Sequence, residues 1–206
     1  QLGQFDTPPS LQRYDMFEGA DAAARPWHEP DGAVLSDPGH STEFVGLATK
    51  FLFELEKRPN KSPAQVELLA KARAELPGIL LQNFRNGFNP QVGGICKLYD
   101  LVTRRPTNPD MPWWNLPETL RAAAGVLRFC PSLPPASREQ VFSVIQNSSN
   151  GFFRSFVNEK VHLMAYQTVN AQGQPVDIIP ATADADPGYH TGLSIIDYLR
   201  WLGRIA

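Results

Sequence analysis

Two histidines in this sequence follow the same kind of turn. Asp37-Pro38-Gly39-His40-Ser41-Thr42-Glu43 and Asp186-Pro187-Gly188-Tyr189-His190 each lead into a periodic apolar stretch. Aspartate is a good helix N-cap and proline suits the first helical position, because a helix start has N–H groups without intrahelical partners. That places His40 in a first turn, with Glu43 three residues on along the same face. The positive end of the helix macrodipole favours a neutral imidazole there, and a neutral imidazole near pH 7 is what a general base needs. A single histidine of this kind is more often a helix-start residue bonded to a neighbour. The second Asp-Pro-Gly turn, with its own histidine, is what points to paired acid–base chemistry.

A second constellation is Pro112-Trp113-Trp114-Asn115-Leu116-Pro117-Glu118. Trp114 and Glu118 are four apart, so on a helix an aromatic face and a carboxylate share one side. A sugar ring has an apolar face ringed by hydroxyls. Stacking on tryptophan, with a carboxylate accepting from the hydroxyls, matches that shape. The alternative is that Trp113 and Trp114 are packing anchors.

The elements that must position these groups are helices. Residues 1–36 have no sustained period and many turn signals, and read as an ordered connection. A first helix is expected over 38–57, with Phe44, Leu47, Ala48, Phe51, Leu52 and Leu55 as its apolar stripe. Ser62 and Pro63 open a second, which Pro77-Gly78 breaks or kinks. A short hairpin is expected over 91–102. The third helix begins near Trp113, since Pro117 is tolerable only in a first turn, and the fourth covers about 137–156. A second hairpin over 160–180 turns at Gln172-Gly173, and a fifth helix carries Leu193, Ile196, Leu199 and Leu202 as a core stripe. The order is helix pair, hairpin, helix pair, hairpin, helix, which is a repeat of helical hairpins. The expected fold is all-α, an (α/α)6 toroid or barrel with about half of it present and short β hairpins in the rim loops. Residues 1–206 form one domain in this reading, and five helices leave the ring open.

Composition narrows the function. The chain has 206 residues, enough for a sizeable core, and 42% hydrophobic residues, which is ordinary for a globular domain. A formal net charge of −2 and the lack of a basic block argue against nucleic acid and anionic membranes as partners. No apolar run is long enough to span a bilayer and no secretory segment opens the sequence, so a cytoplasmic location is expected. Cys96 and Cys130 match no metal spacing and are expected as free thiols. No His/Asp/Glu cluster has ligand spacing, so no metal is expected. The chain starts at Gln1, as a processed product or a piece of a longer protein would.

The motifs also resemble those of a known family. Pro38-Gly39-His40-Ser41-Thr42-Glu43 resembles the Pro-Gly-His-x-x-Glu signature of the N-acylglucosamine 2-epimerase superfamily, and Trp113-Trp114-Asn115-Leu116-Pro117-Glu118 its Trp-Trp-x-Gln-Ala-Glu signature. Tyr189-His190 is similar to its closing histidine. The three occur in family order and match the C-terminal half of the family's (α/α)6 barrel. The resemblance implies a sugar epimerase or aldose–ketose isomerase that works without a redox cofactor. His40 and His190 match the acid and base that move the proton beside the carbonyl. Glu43 would hold an imidazole or a sugar hydroxyl, and Trp113, Trp114 and Glu118 would shape the pocket for a monosaccharide or short saccharide. The missing half-barrel would come from upstream residues or another chain, a homodimer included. Leu116-Pro117 stands where the family has Gln-Ala, and Thr191-Gly192 where it has Val-Pro.

Two other readings stay open. A glycoside hydrolase or lyase on the same toroid would use a carboxylate pair, for which Asp37, Glu43, Glu118 and Asp186 are available. A non-catalytic carbohydrate-binding protein would keep the aromatic rim without the chemistry.

Overall fold

The computed structural model describes residues 28–160, 166–178 and 189–203, together with the backbone of three short strands before them. Those strands, β1 (Gln4–Phe5), β2 (Gln12–Asp15) and β3 (Arg25–Pro26), pair antiparallel in the order β1-β2-β3 within the stretch read from sequence as connection. β4 (Leu35–Ser36) follows and leads directly into α1 (Pro38–Lys57).

The helix starts follow from capping chemistry. The Asp37 carboxylate accepts the backbone N–H of His40 at 3.1 Å, and Pro38 takes the first turn, as its locked φ allows. α2 (Pro63–Gly87) opens with a capping box in which Ser62 and Gln65 exchange side-chain bonds with each other's backbone. It runs through Pro77 without a break. Leu76, Leu80 and Phe84 are buried on its inner face and hold the axis across the lost hydrogen bond.

β5 (Phe88–Asn89) pairs with β6 (Gly94–Ile95), while β7 (Leu98–Asp100) lies between β4 and β8 (Arg105–Asn108). The hairpin expected over 91–102 is thus two separate pairings, one of which ties the entry of α1 to the loops. α3 (Asn115–Phe129) follows β9 (Met111–Pro112), and α4 (Pro135–Ser155) follows it. β10 (Thr168–Val169) pairs with β9 rather than forming a long hairpin of its own. The expected turn is present, with Gly173 at φ +77° and a bridge from Val169 to Pro175. Residues 161–165 and 179–188, which hold the rest of that expected hairpin and the Asp186-Pro187-Gly188 turn, lie outside the described residues. A π-helical turn at Tyr189–Leu193 then leads into α5 (Ser194–Trp201).

α3 is the centre of the molecule. It packs on α1, α4 and α5, while α2 lies behind α1 and α4 behind α3. The described residues are therefore helix-rich, with α1, α3 and α5 in one layer, α2 and α4 in a second, and few short strands. No described helix is long and apolar enough to cross a membrane.

The buried stripes differ from those read by hydrophobicity. On α1 the buried positions include Ser41, Thr42, Val45, Gly46 and Thr49, whereas Leu47 and Phe51 are exposed. Small residues let α1 and α3 approach closely, and the Thr119 hydroxyl donates to that of Thr42 at 3.1 Å across the contact. On α5 the buried residues are Ser194 and Asp197, while Leu193, Ile196 and Leu202 are exposed. The inward face of α5 is polar because charged groups of α1 and α3 stand opposite it.

Two glycines test the packing. Gly125 of α3 faces α1 and α5, and a Cβ there would lie 2.7 Å from Trp201 Cζ3 and also collide with Thr49. Gly78 of α2 has nothing within 4 Å of such a Cβ. Helix propensity alone favours alanine at both by about 0.5–1 kcal/mol. Gly78→Ala is expected to stabilise by that amount. Gly125→Ala is expected to destabilise by roughly 1–3 kcal/mol, because overpacking outweighs propensity. Urea unfolding of the two variants checks this, and equal shifts in the same direction would refute the close helix contact.

Candidate active site

The starts of α1, α3 and α5 meet at one place. The buried Asn115 side chain donates to the Ile95 carbonyl at 3.0 Å, fixing the start of α3 to β6. The same side chain lies where a Cβ on Gly39 would be, so α1 can begin against α3 only because residue 39 has no side chain. This brings His40 and His190 each within ring-contact distance of Trp114.

Trp114 lies between the two imidazoles. Its ring centroid is 4.9 Å from that of His40 and 4.8 Å from that of His190. Each imidazole is held through Nδ1 by a carboxylate. His40 Nδ1 is 2.5 Å from Asp37 Oδ2, and His190 Nδ1 is 3.0 Å from Glu118 Oε1. An ionised carboxylate only accepts, so in each pair Nδ1 carries the proton that faces the carboxylate. The His40 side chain is 54% exposed and that of His190 26%, so both rings are reachable.

Asp37 thus does two jobs, capping α1 and orienting His40. Lys97 Nζ also bonds its carboxylate at 2.8 Å and stands 5.5 Å over the Trp114 ring. Burial pushes the Asp37 carboxyl up, but the hydrogen bond and charge of His40, with Lys97, outweigh it and hold the group below its ordinary value of 3.8. Glu118 has no exposure and pairs with Arg121, which is equally buried. Glu43 lies 3.9 Å from His190 Nδ1 rather than beside His40, so the imidazole it stands near is the distant one in sequence. Burial raises the Glu43 carboxyl above its ordinary value of 4.5, the Glu118 charge adds to this, and His190, His40 and Arg121 oppose it.

Of the residues singled out in the sequence, His40, Glu43, Trp114, Glu118 and His190 come together here. Trp113 does not. Its backbone N–H donates to the Gln167 carbonyl at 3.0 Å and its ring packs against the hydrophobic core, the packing-anchor alternative. Lys97 and Arg121 were missed, and so was Asp197, which bonds Lys50 at 2.7 Å behind the site. Only Arg121 had a sequence signal, an arginine one helical turn from Glu118 in a run of small apolar residues.

Sequence spacing pointed to no metal cluster, yet Glu43, Glu118 and His190 bring one donor atom each to within 4.8 Å of one another. The reason is that they come from three helices. As arranged, the His190–Glu118 separation of 3.0 Å is that of a hydrogen bond, and Arg121 already supplies positive charge to Glu118. A metal ion would have to part the pair, so the geometry fits a proton between them better.

No protein-family model matches this sequence, and no curated protein does. The fold is similar to that of a solved structure of D-mannose isomerase, with a TM-score of 0.55 at 20% identity over 85% of this chain. That protein has an (α/α)6-type fold, and the similarity covers 38% of its length. The two therefore share part of one architecture.

The raised Glu43 carboxyl gives a pH prediction. Its charged form is disfavoured in the folded state, so its ionisation removes stability as pH rises from about 4.5 through the folded-state value. Glu43→Gln is expected to raise the melting temperature at pH 7, with the gain vanishing below about pH 4.5. Thermal unfolding from pH 4 to 8 checks this. A gain that persists unchanged at pH 4 would assign the effect to packing instead.

Proposed function

We propose that this chain carries the acid–base half of a sugar aldose–ketose isomerase or 2-epimerase. The observation that carries the reading is the pair of imidazole–carboxylate couples, His40 with Asp37 and His190 with Glu118, facing one indole ring. The partial fold likeness to D-mannose isomerase supports it, as does the order of the motifs.

An open-chain aldose would lie against Trp114 with its apolar face on the ring. One histidine, neutral, takes the proton from C2. The other, protonated, gives its proton to the carbonyl oxygen. The electron pair of the broken C–H bond becomes the double bond of an enediol. Return of a proton to C1, while the histidine that had given up its proton takes the one on O2, yields the ketose; return to the opposite face of C2, with the proton on O1 taken likewise, yields the epimer. The two imidazoles exchange roles in the reverse direction. Glu43, close to His190, is placed to accept from a sugar hydroxyl.

A hydrolase would need a free carboxylate pair. Both Glu118 oxygens are engaged, by Arg121 and His190, and Asp37 is held by His40 and Lys97, which favours proton transfer by the histidines. The remainder of the ring is assigned, in this proposal, to residues before Gln1 or to another chain, a second copy included. Its support is the exposed Leu47 and Phe51 on α1 and Leu193 and Ile196 near α5, together with the short stretch of the isomerase that this chain matches.

The test is deuterium incorporation at C2 in heavy water, with the complete protein and a panel of aldoses and ketoses. His40→Asn and His190→Asn are each expected to lower exchange by about 10²–10⁴-fold, the usual contribution of general acid–base catalysis. Undiminished exchange in both variants would remove the histidines from the mechanism. No exchange by the unmodified protein with any sugar would leave the carbohydrate-binding reading.

A further inference from the structure

We infer that Arg121 and Asp197 are positioning residues that act through Glu118 to fix the orientation of His190. The inference rests on the proton-transfer reading of the site.

The side chains form a line of alternating charge through the protein interior. Lys50 Nζ of α1 bonds Asp197 Oδ2 of α5 at 2.7 Å, and the same oxygen is 3.9 Å from Arg121 Nη1 of α3. Arg121 Nη2 donates to Glu118 Oε2, and Glu118 Oε1 faces His190 Nδ1 at 3.0 Å. Arg121 is 1% exposed, Glu118 0% and Asp197 4%. Gly46 of α1 makes the space, since a Cβ there would stand 3.0 Å from Arg121 Nε. The two ends reach solvent, Lys50 with half of its side chain exposed and His190 with 26%.

Such a line is expensive as structure. Well-packed apolar residues in place of a buried ion pair are often as stable or more so, whereas removing one partner strands a buried charge. What the line accomplishes is geometric. The guanidinium occupies one oxygen of Glu118 and leaves the other aimed at Nδ1. Asp197, 3.9 Å from the opposite arm of the guanidinium, draws that arm by charge to the side away from Glu118. Lys50 neutralises Asp197 from outside. Without Arg121 the buried carboxylate loses the bond that fixes Oε2, and Oε1 is no longer held on Nδ1, so the tautomer with its proton on Nδ1 loses its support.

The experiment uses the complete protein, with Arg121→Met, Arg121→Lys and Asp197→Asn. The first readout is kcat and KM for C2 exchange. The second is the tautomer of His190 from its ring ¹⁵N shifts, assigned by comparison with His190→Asn. Arg121→Met is expected to lower kcat by roughly 10–100-fold with KM little changed, as loss of a group that orients a functional histidine does. Arg121→Lys, which keeps the charge, should restore much of the rate, and Asp197→Asn should show a smaller drop. The His190 shifts should move from the Nδ1–H form in Arg121→Met and return in Arg121→Lys. Should Arg121→Met fail to fold, the lysine and asparagine variants carry the same comparison. A folded Arg121→Met with unchanged kcat and unchanged His190 shifts would overturn the inference, and so would a change confined to KM. If the unmodified protein exchanges no sugar, the function proposal fails, while the ¹⁵N comparison still decides whether Arg121 sets the tautomer.

Discussion

A carboxylate and a guanidinium with almost no access to water sit one turn apart on the helix around which the others pack. Breaking such a pair by removing one member costs about 3–5 kcal/mol, because the survivor is a buried, uncompensated charge. The Glu118–Arg121 pair therefore dictates its surroundings. Residue 46 has to be small, α5 has to present Asp197 rather than a hydrophobic stripe, and the free oxygen of Glu118 has to find a donor. That donor is His190. The site is in this sense the exposed end of a core constraint.

The same logic orders the site at the other histidine. Asp37 is fixed first by the helix it caps, and only then can its second oxygen hold His40 and Lys97. Trp114 closes the gap between the two couples from the last position before α3. Each functional ring is thus placed by a helix start. Of the three helices that meet there only α1 has a side-chain cap, from Asp37; the start of α3 is fixed instead by the bond from Asn115 to the Ile95 carbonyl.

Legibility in the sequence followed the range of the interaction. The start of α1, the opening of α2 at Ser62-Pro63 and the position of Pro117 are decided by residues within one turn, and these could be read directly. His40, Trp114 and His190 could be proposed together only because their local patterns resemble one another or a known set. Pairings between distant segments left no such trace. Lys97 reaches Asp37 across 60 positions and Asp197 reaches Lys50 across 147, and neither gap carries a periodicity. The large apolar residues of α1 and α5 misled because the core here prefers close helix approach over bulk. Leu47, Phe51, Leu193 and Ile196 were read as core, whereas the small and polar residues beside them are what is buried. Trp113 stands next to Trp114 in sequence, yet its ring packs against the hydrophobic core.

The two cysteines close off a different kind of reactivity. Both are free and buried, Cys96 beside the loop that carries Lys97 and Cys130 just past the end of α3. Burial, with the Asp37 charge, pushes the Cys96 thiol up to about 12, and burial pushes Cys130 up to about 11. Since only the thiolate attacks electrophiles, on the order of one Cys96 in 10⁵ is reactive at pH 7 in the folded protein, against a few per cent of an ordinary thiol. Alkylation by a maleimide or iodoacetamide then proceeds almost wholly through molecules that have opened. The chain carries its own pair of stopwatches, one at each end of its central helix, and the ratio of their labelling rates measures which end comes apart first.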